Sequence, residues 1–576
     1  MDQKGITGYI MPRQDVHQGE TVAPCDQRLA WLTGFTGSAG AALILTDRAL
    51  LFVDGRYTLQ AAQQSDPEIF EVVPVHKTPL SAWLETEAQV TDVIGIDPWL
   101  HGKDEVGKLK SALESTGARL SQIPGNLVDA IWDERPPPPG GAVRIHPNSL
   151  SGESSQKKRQ RLGIQIADEG ADAAFLNLPE SLAWLANMRG SDLSHSPVAL
   201  GFGLLQSDGK LALYIDPDKF DGEVIAHLGN EVTIEPPSRL DELWPVLAGK
   251  NVLLDSATAP MEVANRLENV GSKVIWSSDP CTAAKARKTK AELGGMRDAH
   301  LKDGVAMVNF LHWLDTRPDD VTLTEIDVVK RLEGFRADAG VDDVSFDTIC
   351  GSGPNGAIIH YRVTWGSNRT LVRGETLLVD SGGQYPEGTT DITRTLAFGP
   401  VDPRATRPYT LVLKGMIALS RARWPKGLAG RDLDPFARQA LWMAGLDYDH
   451  GTGHGVGACL NVHEGPASIS RRGLVALEPG MILSNEPGYY REGAFGIRIE
   501  NLVAVVEATL PEGGERELLG FETLTYCPID RRMIDPVLLT ADEIAWLNAY
   551  HAETLDKLKD SLTPETAIWL ETACSP

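Results

Sequence analysis

The chain has 576 residues, 42% hydrophobic and 23% charged, which excludes a mainly disordered protein and suggests roughly three to four domains. Fifty-four basic against 79 acidic residues leave a net charge of −25, which repels phosphate backbones and argues against nucleic acid as a partner. Six irregularly spaced cysteines with no Cys-x-x-Cys pair argue against a disulfide framework or a thiolate zinc site, and no apolar run could span a bilayer, so a cytoplasmic protein without a membrane partner is expected.

In chain order, the first feature is a repeat. Leu29-Ala30-Trp31-Leu32 recurs as Leu182-Ala183-Trp184-Leu185. A strand–turn–strand pattern follows each copy, over Ala42–Asp54 and over Leu204–Asp216. One small domain used twice is the simplest reading. The second copy is preceded by a helical pattern over Lys157–Ala167 and an apolar run, Ala173–Leu176. The first begins almost at Tyr9-Ile10-Met11, without room for that helix, so a longer native N-terminus is expected. Asp54-Gly55-Arg56-Tyr57 reads as a plain turn before it reads as part of a site.

Four prolines from Pro136 onward form a stiff spacer, and the first boundary is placed after them. A basic stretch over Ala283–Glu292 marks the second. The expected domains are therefore 1–148, 149–283 and 284–576. The third opens with a helix carrying Leu301, Val305, Val308 and Leu311 on one face. It closes with another, started by the capping box Thr540-Ala541-Asp542-Glu543.

The chemistry concentrates in this third domain. Asp380 ends the apolar run Leu377-Leu378-Val379, and Asp391 follows eleven residues later. The turn-rich Ser381–Gly388 lies between them, so two neighbouring strands with a long connection are expected. His454 sits among the glycines of His450-Gly451-Thr452-Gly453-His454-Gly455-Val456-Gly457, which let backbone approach an imidazole. Glu486 stands in Ser484-Asn485-Glu486-Pro487-Gly488 and Glu500 in Gly496-Ile497-Arg498-Ile499-Glu500-Asn501. In that last segment period-two alternation sends Arg498 and Glu500 to the face opposite Ile497 and Ile499. Burying such carboxylates without counter-ions is very costly. Four negative charges balance two divalent cations. An oxygen-rich set with one imidazole suits hard or borderline ions such as Mn²⁺, and paired cations are a known hydrolytic arrangement.

The ordered set Asp380, Asp391, His454, Glu486, Glu500 resembles the metal ligands of the pita-bread metallopeptidases: methionine aminopeptidase, prolidase and aminopeptidase P. His360 in Ile358-Ile359-His360-Tyr361, His450, and His463 in Val462-His463-Glu464-Gly465-Pro466 match the proline-specific branch. The duplicated N-terminal segment, the long third domain and the tail Phe521–Asp530 together resemble the three-domain form of aminopeptidase P. The resemblance implies an α/β (α+β) fold: two creatinase-like N-terminal domains with mixed sheets, then a C-terminal pita-bread domain of antiparallel sheet under helices. It implies release of the N-terminal residue from peptides with proline in second position, by attack of a hydroxide bridging two metals. The two metals are expected to be Mn²⁺, with Zn²⁺ and Co²⁺ as alternatives. Glu486 would accept the proton as well as ligate. His360, His450 and His463 would be catalytic and would bind substrate, with Arg498 behind the ligands; the alternatives are that His450 braces the loop and that Arg498 makes a structural ion pair. A homodimer is the family expectation. The rival readings are a prolidase, restricted to dipeptides, and a non-enzymatic pita-bread binding protein.

Overall fold

A computed structural model describes residues 1–318 and 321–576. The chain folds as two compact units. One comprises Met1–Asn148 with Glu153–Thr282, and the other Ser149–Gly152 with Ala283–Pro576.

The first unit contains two six-stranded mixed sheets. Strands β1 to β6 are Gly8–Pro12, Gly40–Leu45, Ala49–Val53, Phe70–Pro74, Val93–Ile96 and Arg119–Gln122, in spatial order β4-β3-β2-β1-β5-β6. Strands β7 to β12 are Ala173–Leu176, Phe202–Gln206, Leu211–Tyr214, Val232–Glu235, Asn251–Leu254 and Lys273–Trp276, in the order β10-β9-β8-β7-β11-β12. The two orders are the same when each sheet is counted from its own first strand. So are the directions: the first strand runs antiparallel to the second and parallel to the fifth. The repeated Leu-Ala-Trp-Leu lies in helices Arg28–Thr33 and Pro179–Leu185, and each copy uses its indole differently. Trp31 is surface-exposed and stacks on Trp132 at 5.5 Å. Trp184 is buried beneath the Lys158 ammonium, 4.1 Å from its ring. The helix expected over 157–167 spans Ser155–Asp168. Asp54 caps a single 3₁₀ turn and holds Arg56 at 2.7 Å, so that segment is a turn.

In the second unit, β13 (Ile349–Ser352), β14 (Glu375–Ser381) and β15 (Ile392–Phe398) form an antiparallel three-stranded sheet. A six-stranded sheet uses β16 (Arg423–Pro425), β17 (Gly453–Gly455), β18 (Glu464–Ile469), β19 (Ile482–Asn485), β22 (Asn501–Ala508) and β23 (Leu518–Thr523). Its order is β16-β23-β22-β19-β17-β18, with every neighbouring pair antiparallel. Between β19 and β22, β20 (Gly488–Arg491) and β21 (Phe495–Arg498) make a hairpin. Helices Pro403–Ser420 and Gly430–Trp442 cover the sheets, with Tyr409, Val412 and Met416 packing on Phe495 and Ile497, and Leu433 and Ala437 on Ile469 and Leu483. Helix Lys290–Thr316 lays Leu301, Val305 and Val308 against Leu558 and Leu570 of the C-terminal helices. The box at Thr540 and Glu543 opens helix Ala541–Leu558 as expected. Among the described residues no helix is long and apolar enough to cross a membrane.

Two local expectations are refined. The segment after Asp380 is not only a loop: Gly383–Tyr385 and Gly388–Thr389 pair as a short hairpin, because Thr390 Oγ1 accepts the Gly383 N–H and closes the turn-rich sequence. The segment around Glu500 is not one strand: pairing breaks at Ile499 and Glu500, between β21 and β22.

Candidate metal centre

The three-stranded sheet supplies the two aspartates. Along β14, Leu377 and Val379 join a core with Phe310 and Leu332, which puts Leu378 and Asp380 on the opposite face. Asp380 is opposite Thr393 in β15. The same parity sets Asp391, Thr393 and Thr395 on one face, while Ile392, Leu396 and Phe398 enter the core. Thr393 and Thr395 use that face for the site: Thr393 Oγ1 donates to Glu500 Oε2 at 2.6 Å, and Thr395 Oγ1 to the Arg498 carbonyl at 3.0 Å.

The six-stranded sheet supplies the rest. Gly453 and Gly455 flank His454, and a side chain at either would overlap a neighbouring carbonyl, that of Ser484 or of Glu464. His454 Nδ1 lies 2.9 Å from the Gly455 carbonyl, so Nδ1 carries a proton and Nε2 is the nitrogen turned toward the carboxylates. That Nε2 is 3.4 Å from Asp391 and 3.6 Å from Glu486. Glu486 follows β19 and is fixed by Ser484 Oγ, which donates to it at 3.0 Å, and by its own N–H on the Thr452 carbonyl at 2.8 Å. Ligand atoms of Asp391, His454 and Glu500 lie within 4.8 Å of one another.

The electrostatics are those of a site built for cations. Four carboxylates converge, and the buried counter-charge is Arg498, whose Nη2 holds Asp380 at 2.6 Å. Burial, with Asp380 and Glu486 beside it, pushes the Asp391 carboxyl up to about 6, although His454 opposes this. Burial and the neighbouring Asp391, Glu486 and Asp380 raise Glu500 well above the usual carboxylate range. Burial alone would lower His454, but Asp391 and Glu486 carry it up to about 9. Among the described residues, Asp380 Oδ1 and Asp391 Oδ1 are buried without a hydrogen-bond partner. Buried carboxylate oxygens without a hydrogen-bond partner are what bound divalent cations would satisfy, so the donor set fits two such ions.

The other candidates lie around this cluster. His463 stands edge-on to His454, with ring centroids 4.2 Å apart. His450 has both nitrogens on protein partners, Nδ1 on the Gly451 carbonyl at 2.7 Å and Nε2 on the Tyr490 hydroxyl at 2.9 Å. It also approaches Glu486 at 3.8 Å. His360 follows Ile359, whose carbonyl accepts from Arg498 at 3.4 Å.

Two supporting residues escape the sequence reading. Tyr490 OH accepts from Arg498 Nη1 at 2.5 Å and joins Arg498 to His450; burial pushes its phenol up to about 12. Arg394 is wholly buried and donates to the Glu500 carbonyl (2.6 Å), the Cys527 carbonyl (2.8 Å) and the Tyr550 hydroxyl (2.9 Å). Alternation along β15 was a usable signal for Thr393. Nothing in the sequence spacing marks Tyr490 or Arg394.

Comparison with known proteins covers the chain in succession. The Creatinase/Prolidase N-terminal domain matches residues 1–130 and again 134–292. Metallopeptidase family M24 matches 294–507, and the C-terminal region of peptidase M24 matches 517–576. A protein of Aspergillus fumigatus named "probable Xaa-Pro aminopeptidase P" is 39% identical over 597 residues, covering 100% of this chain and 91% of the relative. Aminopeptidase P2 of Arabidopsis thaliana is 40% identical, with 98% and 84% covered. The crystal structure of an X-prolyl aminopeptidase from Caenorhabditis elegans, described as a cytosolic enzyme with a di-nuclear active site, superposes with a TM-score of 0.95 at 34% identity, covering 99% of this chain and 95% of that one. A Xaa-Pro dipeptidase from Bacillus anthracis shares the fold over 66% of this chain, at 24% identity and a TM-score of 0.54.

Proposed function

The chain belongs to metallopeptidase family M24, and from that premise we propose that it is a metalloaminopeptidase releasing the N-terminal residue from peptides with proline in second position. The observation that carries this reading is the convergence of all five ligand-type residues in a chain whose relatives match it end to end. Asp380, Asp391, His454, Glu486 and Glu500 would hold two divalent cations. Mn²⁺ is the proposed identity, supported by four carboxylates to one imidazole. When bound, the two cations supply Lewis acidity and an activated water.

The residues of the chain then have separable tasks. Glu486, held by Ser484 and the Thr452 carbonyl, accepts the proton released on attack. His463 and His360 donate toward the carbonyl of the first residue. His450, tied to Tyr490, holds one wall of the site and lies close to Glu486. Arg498 pairs with Asp380 and orients it. A free α-amine would contact the metal centre and its carboxylates, which restricts cleavage to the first residue. A bond to proline nitrogen has no N–H, so the site must accept it without that hydrogen bond.

The division into 1–148, 149–283 and 284–576 is our reading, supported by the two alike sheets. A cytoplasmic location is supported by six buried thiols. A homodimer is supported by Ile544 and Ile568, exposed apolar residues on the C-terminal helices, and light scattering tests it. The deciding experiment is hydrolysis of Arg-Pro-Pro, Arg-Ala-Ala and Ala-Pro by chelated protein, with and without added Mn²⁺. Metal-dependent release of Arg from Arg-Pro-Pro alone is expected. Cleavage of Ala-Pro alone would make the protein a prolidase.

A further inference from the structure

Two lysines of the basic stretch that marks the second boundary are withdrawn from solvent. Lys285 and Lys288 are both buried, with side chains at most 4% exposed, and both close on Glu464. Lys285 Nζ lies 2.8 Å from one Glu464 oxygen, and Lys288 Nζ bonds the other. The backbone here is equally fixed: Lys288 N–H donates to the Gly480 carbonyl at 3.1 Å, and Thr289 caps the long helix that follows.

Glu464 is the residue after His463 and the first of β18. It pairs with Gly455, whereas Ser468 pairs with His454, so Gly465–Ala467 bulge out between two successive pairs. One end of the bulge is the Glu464 backbone against Gly455; the other side of that residue carries the His463 ring onto His454. A buried cluster of two cations and one anion is a poor way to stabilise a sheet, since an apolar set of similar volume would cost less. Burial, with Lys285 beside it, holds the Lys288 ammonium below its ordinary value, although Glu464 and Glu292 oppose this. What the cluster provides is a fixed direction for Glu464, and through it for the preceding residue, His463.

We propose that Lys285 and Lys288 are positioning residues that set His463 over the metal centre by clamping Glu464. This rests on the reading of His463 as a substrate-contacting residue. The test is a double-mutant cycle on metal-loaded protein, with kcat/KM for Arg-Pro-Pro measured for Lys288→Met, His463→Ala and both together. Lys288→Met leaves one cation on one anion, and Lys285→Met repeats the cycle if the first variant fails to fold. A loss of about tenfold is expected for the lysine variant with metal content unchanged. About 100-fold is expected for His463→Ala, and the double variant should fall no further than that. A multiplied loss, or full activity in the lysine variants, overturns the proposal. Independently, in metal-free chain with ¹³C-labelled histidine, the His463 resonance should move in Lys288→Met while that of His360 stays. An unmoved His463 signal overturns the clamp whatever the substrate is, whereas a wild-type chain that never releases Arg overturns only the proposed activity.

Discussion

At the scale of single residues, the site depends on which carboxylate oxygens are left uncommitted. Glu486 is held by Ser484 and by its own backbone, so replacing its side chain removes a ligand and a proton acceptor without removing a core contact. Glu486→Ala should lower kcat by about 10³-fold or more with an unchanged far-ultraviolet spectrum. Near-normal turnover with metal bound would contradict its role. Arg498 is a different case. Its guanidinium serves Asp380, Thr393, Tyr490 and the Ile359 carbonyl together. Arg498→Lys retains charge but not the fork, so activity or metal affinity should fall about 10- to 100-fold, read by turnover and by metal titration. Asp380, Asp391, His454, Glu486 and Glu500 could be found in sequence because each ends or interrupts a buried strand where a charge has no other reason to be. Tyr490 and Arg394 could not, since their partners are 8 to 156 residues away and follow no period. Lys285 and Lys288 read in sequence only as part of a basic boundary, because it is the tertiary fold that brings Glu464 to them.

At the scale of elements, the two helices and the tail at the C-terminus brace the strand that carries Thr393. Arg394 ties β15 and the Glu500 backbone to Cys527, Pro528 and Tyr550. Beside it, His551 is buried, and burial with the Arg531 and Arg394 charges pushes its imidazole down to about 3. Above pH 6.5 this histidine is neutral folded or unfolded and costs nothing. Below that the unfolded chain takes a proton that the folded chain refuses, so stability falls by about 1.4 kcal/mol per pH unit from this group as the pH drops toward 3. Amide protection, taken relative to the intrinsic exchange rate at each pH, should therefore fall in helix Ala541–Leu558 between pH 6.5 and 5. Protection unchanged over that range would show that the helix docks independently of His551. The strand–turn–strand repeats were readable because period-two patterning and polar turns are local signals. The hairpin inside 381–388 was not, since Gly383 and Thr390 meet through a side-chain hydrogen bond that composition hides.

For the whole molecule, one unit holds the proposed ligands and the other repeats a single sheet plan twice. Metal should therefore act on one unit's stability. At a free concentration 100 times the dissociation constant, binding adds about 2.7 kcal/mol to the fold that binds it. Calorimetry of chelated and reloaded protein should show the transition of residues 283–576 moving upward; an unmoved trace would mean that this unit does not bind the ion. The doubled sheet was legible as a doubled motif, because Leu-Ala-Trp-Leu and the hairpin after it recur in register. The strand order was not, since parallel pairing of β3 with β4 or β5 with β6 is set by crossovers that leave no local mark.

The six cysteines have a further consequence. All are buried, and burial raises the thiols of Cys25 and Cys527 to about 11 and that of Cys574 to about 12. A thiol that is both covered and protonated does not alkylate, so the native chain should be silent to maleimides and each site should react only when its surroundings open. Cys25 and Cys281 report on the unit with the doubled sheet, and Cys350, Cys459, Cys527 and Cys574 on the other. The protein thus carries a built-in, residue-resolved clock of its own opening, readable by mass spectrometry without adding a label site.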